Sequence, residues 1–443
     1  MPIRGEISVI IPVFNGASHL LQCLQALQAS TVPFQCIVVD DGSTDSSAEI
    51  ARAAGAEVLV AGDRKGPAIV RNLGAEVARA DILLFIDSDV CVQPGTLHRI
   101  LAAFEADPDM AAIFGSYDDS PSQTDFVSQY RNLMHHFVHQ RSRREAQTFW
   151  SGFGAIRRQV FRDHGGFDSS FSRPAIEDIE LGHRLHKSGC KIVLDPSLQV
   201  KHLKAWTFWG IVTTDVRDRA IPWTELMLRD ASIPNDLNVS ISQRISVALT
   251  FILVSVALVA SVLNAKVFVA PLVALLFLLL AQYEVEITTR RHYKGTIATA
   301  ILIAIIAASS LWSGQPLILV VSLLAFLLLV FRTHYYTPGF EKRRYVAGFC
   351  SAFLAIAIVY VAAQPASHSI HIVLLVCGGL LILLNARFYT LLAAKRGRLY
   401  ALSAIPFHLL FFLYSGIAFM IGAGRHIVLR PEAETKQQDG AAS

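Results

Sequence analysis

"ILLFIDSDV" occupies residues 82–90. An unbroken apolar run from Ile82 to Ile86 stops at Asp87, Ser88 and Asp89. Such a run reads as a strand buried on both faces. Side chains alternate along a strand, so Asp87 and Asp89 are expected to point the same way. Two like charges that close repel one another, and a positive group is expected between them.

The flanking sequence repeats the pattern. "ISVIIPVFN" (7–15) is an apolar run ending in turn residues, and "SHLLQCLQALQAS" (18–30) has helical periodicity. "FQCIVVDDGSTD" (34–45) is a second buried strand, ending in Asp40, Asp41 and Gly42. A third strand is expected over 56–62 and a helix over 66–79. Strands alternating with helices predict an α/β domain with a parallel sheet covered on both faces. Ligands in such sheets bind at the carboxyl ends of the strands. Both acidic clusters fall there. The first strand is followed by "PVFNGAS" rather than GxGxxG, and no GxxxxGK[ST] is present, which removes the dinucleotide and phosphate-loop readings.

Paired carboxylates suit a hard divalent cation, Mg²⁺ or Mn²⁺, of the kind shared with substrate phosphates. A second acidic pair lies in "SRPAIEDIELGHRLHKSG" (172–189), where Pro174 and the spacing of Ile179, Leu181 and Leu185 put Glu177 and Asp178 in the first helical turns. Carboxylates there stabilise a helix through its dipole, and one of them can equally serve as a general base.

The 443 residues are 53% hydrophobic and 17% charged, too apolar for an ordinary soluble chain. The excess lies in the second half. Seven apolar spans are expected, over 245–263, 266–282, 296–312, 316–331, 345–363, 369–384 and 402–423. Alternate loops carry Arg290, Arg291 and Lys294; then Arg332, Lys342, Arg343 and Arg344; then Arg387, Lys395, Arg396 and Arg398. The positive-inside rule puts those loops in the cytosol. The N-terminal apolar stretch is too short for a signal peptide, so the first half is also expected in the cytosol. The net charge of +4 gives no argument for nucleic acid. The six cysteines have no close spacing and read as free thiols.

The ordered series "VIIPVFNG", "VVDDGSTDSS", "VRNLGAEVARADILLFIDSDV", "GGFD" and "IEDIELGHRLHKSG" resembles glycosyltransferase family 2 over residues 5–205. The stretch running from "FGSYDDSP" to "VKHLKAWT" resembles a bacterial subgroup with a C-terminal membrane domain. The resemblance implies an inverting enzyme with the GT-A fold, a Rossmann-like nucleotide-diphospho-sugar transferase domain, followed by an all-α polytopic membrane domain of about seven helices. It implies a UDP- or GDP-sugar donor and a lipid or lipid-linked acceptor. By position it gives Asp40 and Asp41 to the nucleoside, with Pro12 and Phe14 shaping its pocket and Arg71 meeting the nucleotide. Asp87 and Asp89 match the metal-binding pair, Asp178 the catalytic base, and Glu177 its neighbour. His202 matches a late histidine that completes the metal or diphosphate site, although an ordinary surface histidine reads the same way.

The remaining motifs divide between readings. "WSGFGAIRR" (150–158) flanks an acceptor site through Trp150, Gly152 and Gly154, or is a strand entering a tight turn. His135, His136 and His139 lie on an expected helix facing solvent or an interface. Processive synthases carry QxxRW, but the corresponding "TTDVRDRAIPWTELMLRD" (213–230) has no Gln before Arg219 and Ala220 after it. That favours addition of one or a few sugars over polymer synthesis with export, while Arg217 and Arg219 stay candidates for diphosphate contact. Trp206, Phe208, Trp209 and Trp223 are expected at a membrane boundary. The resulting division is a cytosolic catalytic domain over 1–205, an amphipathic interface segment over 206–243, a multi-pass membrane domain over 244–424, and a polar disordered tail over 425–443.

Overall fold

The computed structural model describes residues 7–231, 237–263 and 368–440. The chain divides into two compact units, residues 1–241 with 417–443, and residues 242–416.

The first unit is built on a mixed sheet of order β3-β2-β1-β4-β7-β6-β8-β5. Its strands are β1 (Ile7–Val13), β2 (Phe34–Asp40), β3 (Glu57–Val60), β4 (Ile82–Ile86), β5 (Val90–Cys91), β6 (Met110–Tyr117), β7 (Phe153–Arg157) and β8 (Lys191–His202). Strands β1 to β4 pair in parallel, as their sequence pattern requires. The other half departs from the expected all-parallel sheet. Strand β7 enters antiparallel between β4 and β6, and β5 is antiparallel to β8. The consequence is geometric. Strands β6 and β8 run the same way as β4, so Tyr117 and His202 end at the edge where β1, β2 and β4 end. Strand β7 runs the opposite way and begins there, with Phe153 opposite Ile86.

Period-two burial explains the apolar runs. Ile82, Leu84 and Ile86 enter one core layer together with Ile7, Val9, Ile11 and Val13. Leu83 and Phe85 enter the opposite layer with Ile10, Ile37 and Val39. Helices α1 (Ala17–Gln28) and α4 (Thr96–Ala106) cover the first face. Helices α3 (Pro67–Val77), α6 (Arg158–Asp163) and α7 (Glu177–Lys187) cover the second, and the short α2 is Ser47–Ala53.

Helix α5 (Phe126–Arg141) corrects an expectation. It is buried rather than facing solvent, with His136 and His139 almost fully covered. The register of β6 against β8 slips between Phe114 and Ser116, and the Gly115 carbonyl at the slip accepts from His139 Nδ1 at 2.9 Å. His136 Nδ1 donates to the Tyr117 carbonyl at 2.8 Å. The histidines therefore satisfy strand carbonyls that the irregular ladder leaves to side chains.

After β8 come α8 (Phe208–Thr213), a π-helical turn (Thr214–Ala220) and α9 (Ile221–Arg229). The aromatic residues here mostly turn inward. Phe208 and Trp223 are buried, and of the four only Trp209 is largely exposed, at 59%. Trp223, Leu226 and Met227 pack on Ile176, the residue preceding α7, so α9 supports the helix that carries Glu177 and Asp178.

Three of the seven expected spans fall on described residues, and each is helical: α10 (Ile241–Leu263), α11 (His368–Leu384) and part of α13 (Arg398–Gly440). Residues Arg398–Val428 form one helix long and apolar enough to cross a membrane. Helix α11 and α12 (Ala386–Arg396) form a pair bent by 62°, with the Asn385 side chain at the break donating to Ser246 Oγ of α10 at 3.1 Å. The expected spans over 266–282, 296–312, 316–331 and 345–363 lie outside the described residues. Helix α13 continues to Gly440, across the segment expected to be disordered, where Glu, Ala, Lys and Gln favour helix. The cysteines among the described residues are free thiols.

Gly182, within α7, lies so close to the 148–149 backbone that a Cβ there would stand 2.1 Å from the Phe149 nitrogen. Gly182→Ala is therefore expected to lose about 1–3 kcal/mol through overpacking, read from thermal or denaturant unfolding of the purified chain.

Candidate active site

The site is assembled at the strand edge shared by β1, β2, β4, β6 and β8. Strand β4 ends at Ile86, and residues 87–89 form a turn closed by Val90 N–H on the Asp87 carbonyl. Strand alternation therefore does not govern the two aspartates, and they have different partners. Asp87 Oδ1 accepts from Arg71 Nη2 at 2.7 Å. Asp89 Oδ2 lies 3.5 Å from His202 Nε2. The positive group expected between the aspartates is, for Asp87, the guanidinium of Arg71.

Arg71 is 5% exposed, on α3. Its other terminal nitrogen, Nη1, donates to Glu177 Oε1 at 2.8 Å. Burial works against its charge, but Asp87, Glu177 and Asp178 outweigh that and hold the guanidinium ionised. Glu177 is also buried, and its Oε2 accepts from Ala175 N–H at 2.9 Å. Arg71, expected to meet the nucleotide, directs both terminal nitrogens at protein carboxylates.

Asp178 follows Glu177 and has no such guanidinium bond. Its Oδ2 accepts from Ser151 N–H at 2.9 Å and from Ser151 Oγ at 3.1 Å. Burial and the neighbouring charge of Glu177 push its carboxyl up to about 6, with Ser151, Arg71 and Arg219 pulling the other way. A carboxyl that titrates there is ionised at neutral pH and still basic enough to take a proton. Ser151 is held by the turn that begins β7. Gly152 follows it, and a Cβ at Gly152 would sit 2.6 Å from Trp150 Nε1 and 3.0 Å from Asp87 Oδ2. The glycine thus lets Trp150, Asp87 and the Asp178 support converge. Gly154 lies further along, in β7 opposite Phe85.

The aromatic wall of the site is Tyr117, His135, Trp150 and His202. Tyr117 stacks on His202 with centroids 4.3 Å apart and 12° between the planes. Its other contacts are His135 at 4.3 Å and Trp150, edge-on, at 4.9 Å. Burial drives the His135 ring well below its usual range and His139 down to about 4, so both are neutral at neutral pH.

The donor-side residues are less uniform. Phe14, at the end of β1 beyond Pro12, is 38% exposed with the Arg64 guanidinium 4.0 Å over its ring. Asp40 Oδ1 accepts from Ser43 N–H at 3.0 Å. Asp41 accepts from Lys65 N–H at 2.6 Å and Gly66 N–H at 3.0 Å, so its carboxylate holds the 63–66 loop. Arg217 is exposed and pairs with Asp218 at 2.7 Å. Arg219, one turn of π-helix beyond the buried Arg131–Asp215 pair, is half-buried, and its charge acts on Tyr117, His135 and Asp178.

Among the described residues no group of three or more His, Cys, Asp or Glu is gathered as a metal cluster. Asp87 pairs with Arg71 and is not gathered with Asp89 and His202. The fit to a cation is nonetheless specific at Asp89. Its Oδ1 is buried without a hydrogen-bond partner, and its Oδ2 faces an imidazole nitrogen. Carboxylate oxygen suits both Mg²⁺ and Mn²⁺, and an added imidazole nitrogen tilts the donor set toward the transition metal Mn²⁺.

Replacing Arg71 by Gln leaves Asp87 and Glu177 without their cation. The loss expected is about 3–5 kcal/mol in denaturant unfolding, as for other broken buried pairs. A change under about 1 kcal/mol would show that the pairs are incidental.

A family model, Glycosyl transferase family 2, matches residues 8–165. The pre-mycofactocin glycosyltransferase of Mycobacterium tuberculosis is 32% identical over 212 residues, covering 45% of this chain and 43% of that protein. The 4,4'-diaponeurosporenoate glycosyltransferase of Staphylococcus haemolyticus is 42% identical over 91 residues, 19% of this chain and 24% of that protein. The chain thus spans less than half the length of either relative. A mannosyltransferase from Pyrobaculum calidifontis, solved with GDP-Man and Mn²⁺, aligns with a TM-score of 0.44 at 15% identity, covering 72% of this chain and 86% of that one. The matched region contains β1 to β7 and most of the residues gathered at the strand edge, so residues 8–165 form a glycosyl transferase family 2 domain.

Proposed function

We propose that the protein is an inverting glycosyltransferase that moves a sugar from a UDP- or GDP-sugar to a hydroxyl or phosphate of a lipid or lipid-linked acceptor at the cytosolic membrane face. The observation that carries the chemistry is Asp178. It is a half-buried carboxyl raised to about 6, fixed by Ser151 and set beside the paired Arg71–Glu177–Asp87 group. For a hydroxyl acceptor, its oxygen attacks the anomeric carbon while its proton passes to Asp178. The bond from that carbon to the diphosphate breaks on the opposite face, and the nucleoside diphosphate leaves with the bonding pair. A single displacement inverts configuration and requires no protein nucleophile.

Asp89 and His202 would hold a divalent cation, Mg²⁺ or Mn²⁺, and when bound it supplies positive charge to the leaving diphosphate. Arg219 adds a fixed cation on the same side. Phe14 and Pro12 flank the nucleoside, with Asp40 at the pocket floor. Trp150 and the Gly152 turn, next to Ser151, border the acceptor.

The lipid acceptor rests on the second half of the chain. Apolar helices α10, α11 and α13 and the one-sided basic loops support a multi-pass membrane domain over 244–424, joined by the 206–243 segment to a catalytic domain over 1–205. One relative is named for 4,4'-diaponeurosporenoate as the molecule it glycosylates.

Purified full-length chain in lipid with Mg²⁺ or Mn²⁺, screened against a panel of nucleotide sugars, is expected to release nucleoside diphosphate. Asp178→Asn should lower turnover by roughly 10²–10⁴-fold, the range for losing a general base. The base must be ionised, so activity is expected to rise with pH through about 6 and to fall below it. An acid limb near pH 4, or full activity in Asp178→Asn, removes Asp178 as the base. Long-chain product would favour the processive alternative.

A further inference from the structure

We propose that Asn132, on α5, is a positioning residue that aims His202 at Asp89. The inference rests on the cation reading above and goes beyond it to a residue outside the donor set. Asn132 is 1% exposed, and its Oδ1 lies 2.7 Å from His202 Nδ1. An amide oxygen can only accept, so Nδ1 carries the proton in that bond. Its direction leaves Nε2 as the nitrogen presented to Asp89 Oδ2 at 3.5 Å. Without a proton or a cation between them, a nitrogen lone pair and a carboxylate oxygen would repel. With a cation there, both become ligands, and the unpartnered Asp89 Oδ1 gains a role as well.

The imidazole is then constrained in three ways. Its face lies on Tyr117, its Nδ1 edge is tied to Asn132, and its backbone belongs to β8, where His202 pairs with Val90. The carbonyl of His202 accepts from Ser122 Oγ at 3.0 Å. An outer hydrogen bond to the second ring nitrogen fixes tautomer and orientation in metal-ligating histidines, and its loss typically weakens metal affinity by roughly 10–100-fold. Asn132 sits on the same helix as His136 and His139, whose bonds to Tyr117 and Gly115 anchor that helix to β6. The burial of α5, opposite to what its sequence led us to expect, is what brings the amide within reach.

The test is Mn²⁺ binding to the full-length chain in lipid, followed by the paramagnetic signal of free Mn²⁺, with no sugar donor present. Asn132→Leu is expected to weaken binding by roughly 10–100-fold. Asn132→Asp keeps an acceptor and no donor, so it should stay within about threefold of wild type. Adding Asn132→Leu to His202→Ala should cost nothing further, because the two act as one unit. Wild-type affinity in Asn132→Leu, with binding lost in Asp89→Ala, overturns the role of Asn132 and leaves the cation site standing. A wild-type chain that binds no Mn²⁺, or an Asp89→Ala variant that binds it unchanged, overturns both. If Asn132→Leu does not fold, Asn132→Asp still decides: a tenfold loss there means the amide donates to His202 and the proposed direction is wrong.

Discussion

One guanidinium organises the acidic residues of this site. Arg71 reaches from α3 to Asp87, just past β4, and to Glu177, the first residue of α7. These segments are far apart in sequence and meet only because the sheet brings their ends to one edge. Without the cation, Glu177 would be a buried charge with no counterion, an arrangement proteins avoid by neutralising the group. The same pairing divides labour among the carboxylates. Asp87 and Glu177 receive the full charge of Arg71, and Asp178, next in sequence, receives backbone and hydroxyl hydrogen bonds from Ser151 instead. Its raised pKa comes from burial and the neighbouring charge of Glu177, which Ser151 and the more distant Arg71 only partly offset.

A second layer supports this one from beneath. Helix α5 lies against β6 through its buried histidines, and it offers Asn132 to His202 and Arg131 to Asp215. The Arg131–Asp215 pair is buried and two-pronged, and it secures the π-helical turn that carries Arg219. Departures from regular α-helix of this kind often accompany functional sites. Helix α9 closes the arrangement by packing Trp223 and Leu226 on Ile176, at the start of α7. The segment that follows β8 therefore braces the helix that carries Asp178.

Much of this architecture was readable in advance. The runs at 7–13, 34–40 and 82–86 alternate between two core layers in the structure, as their unbroken apolar character required. Glu177 and Asp178 open a helix, as Pro174 and the apolar spacing indicated. The residues singled out by the motif series gather at one strand edge. Three expectations failed for a common reason. The turn at 87–89, the antiparallel entry of β7 and the burial of α5 all depend on contacts between segments distant in sequence, and local periodicity carries no information about them. The histidines of α5 read as polar surface because their partners are backbone carbonyls of β6, Gly115 at a register slip and Tyr117 at the strand end.

The order of residues was sufficient for the strand pattern, the family, the acidic character of the site and the apolar character of the second half, because each follows from side-chain chemistry within a short window. The pairing of charges was not contained in it. Which carboxylates Arg71 would pair with, whether Asp178 stayed near an ordinary carboxyl or rose to about 6, and which nitrogen of His202 turned toward Asp89 were decided by burial and by neighbours that only the folded sheet brings within 3 or 4 Å. Electrostatic energies fall off with distance and grow with desolvation, and both quantities belong to the tertiary structure.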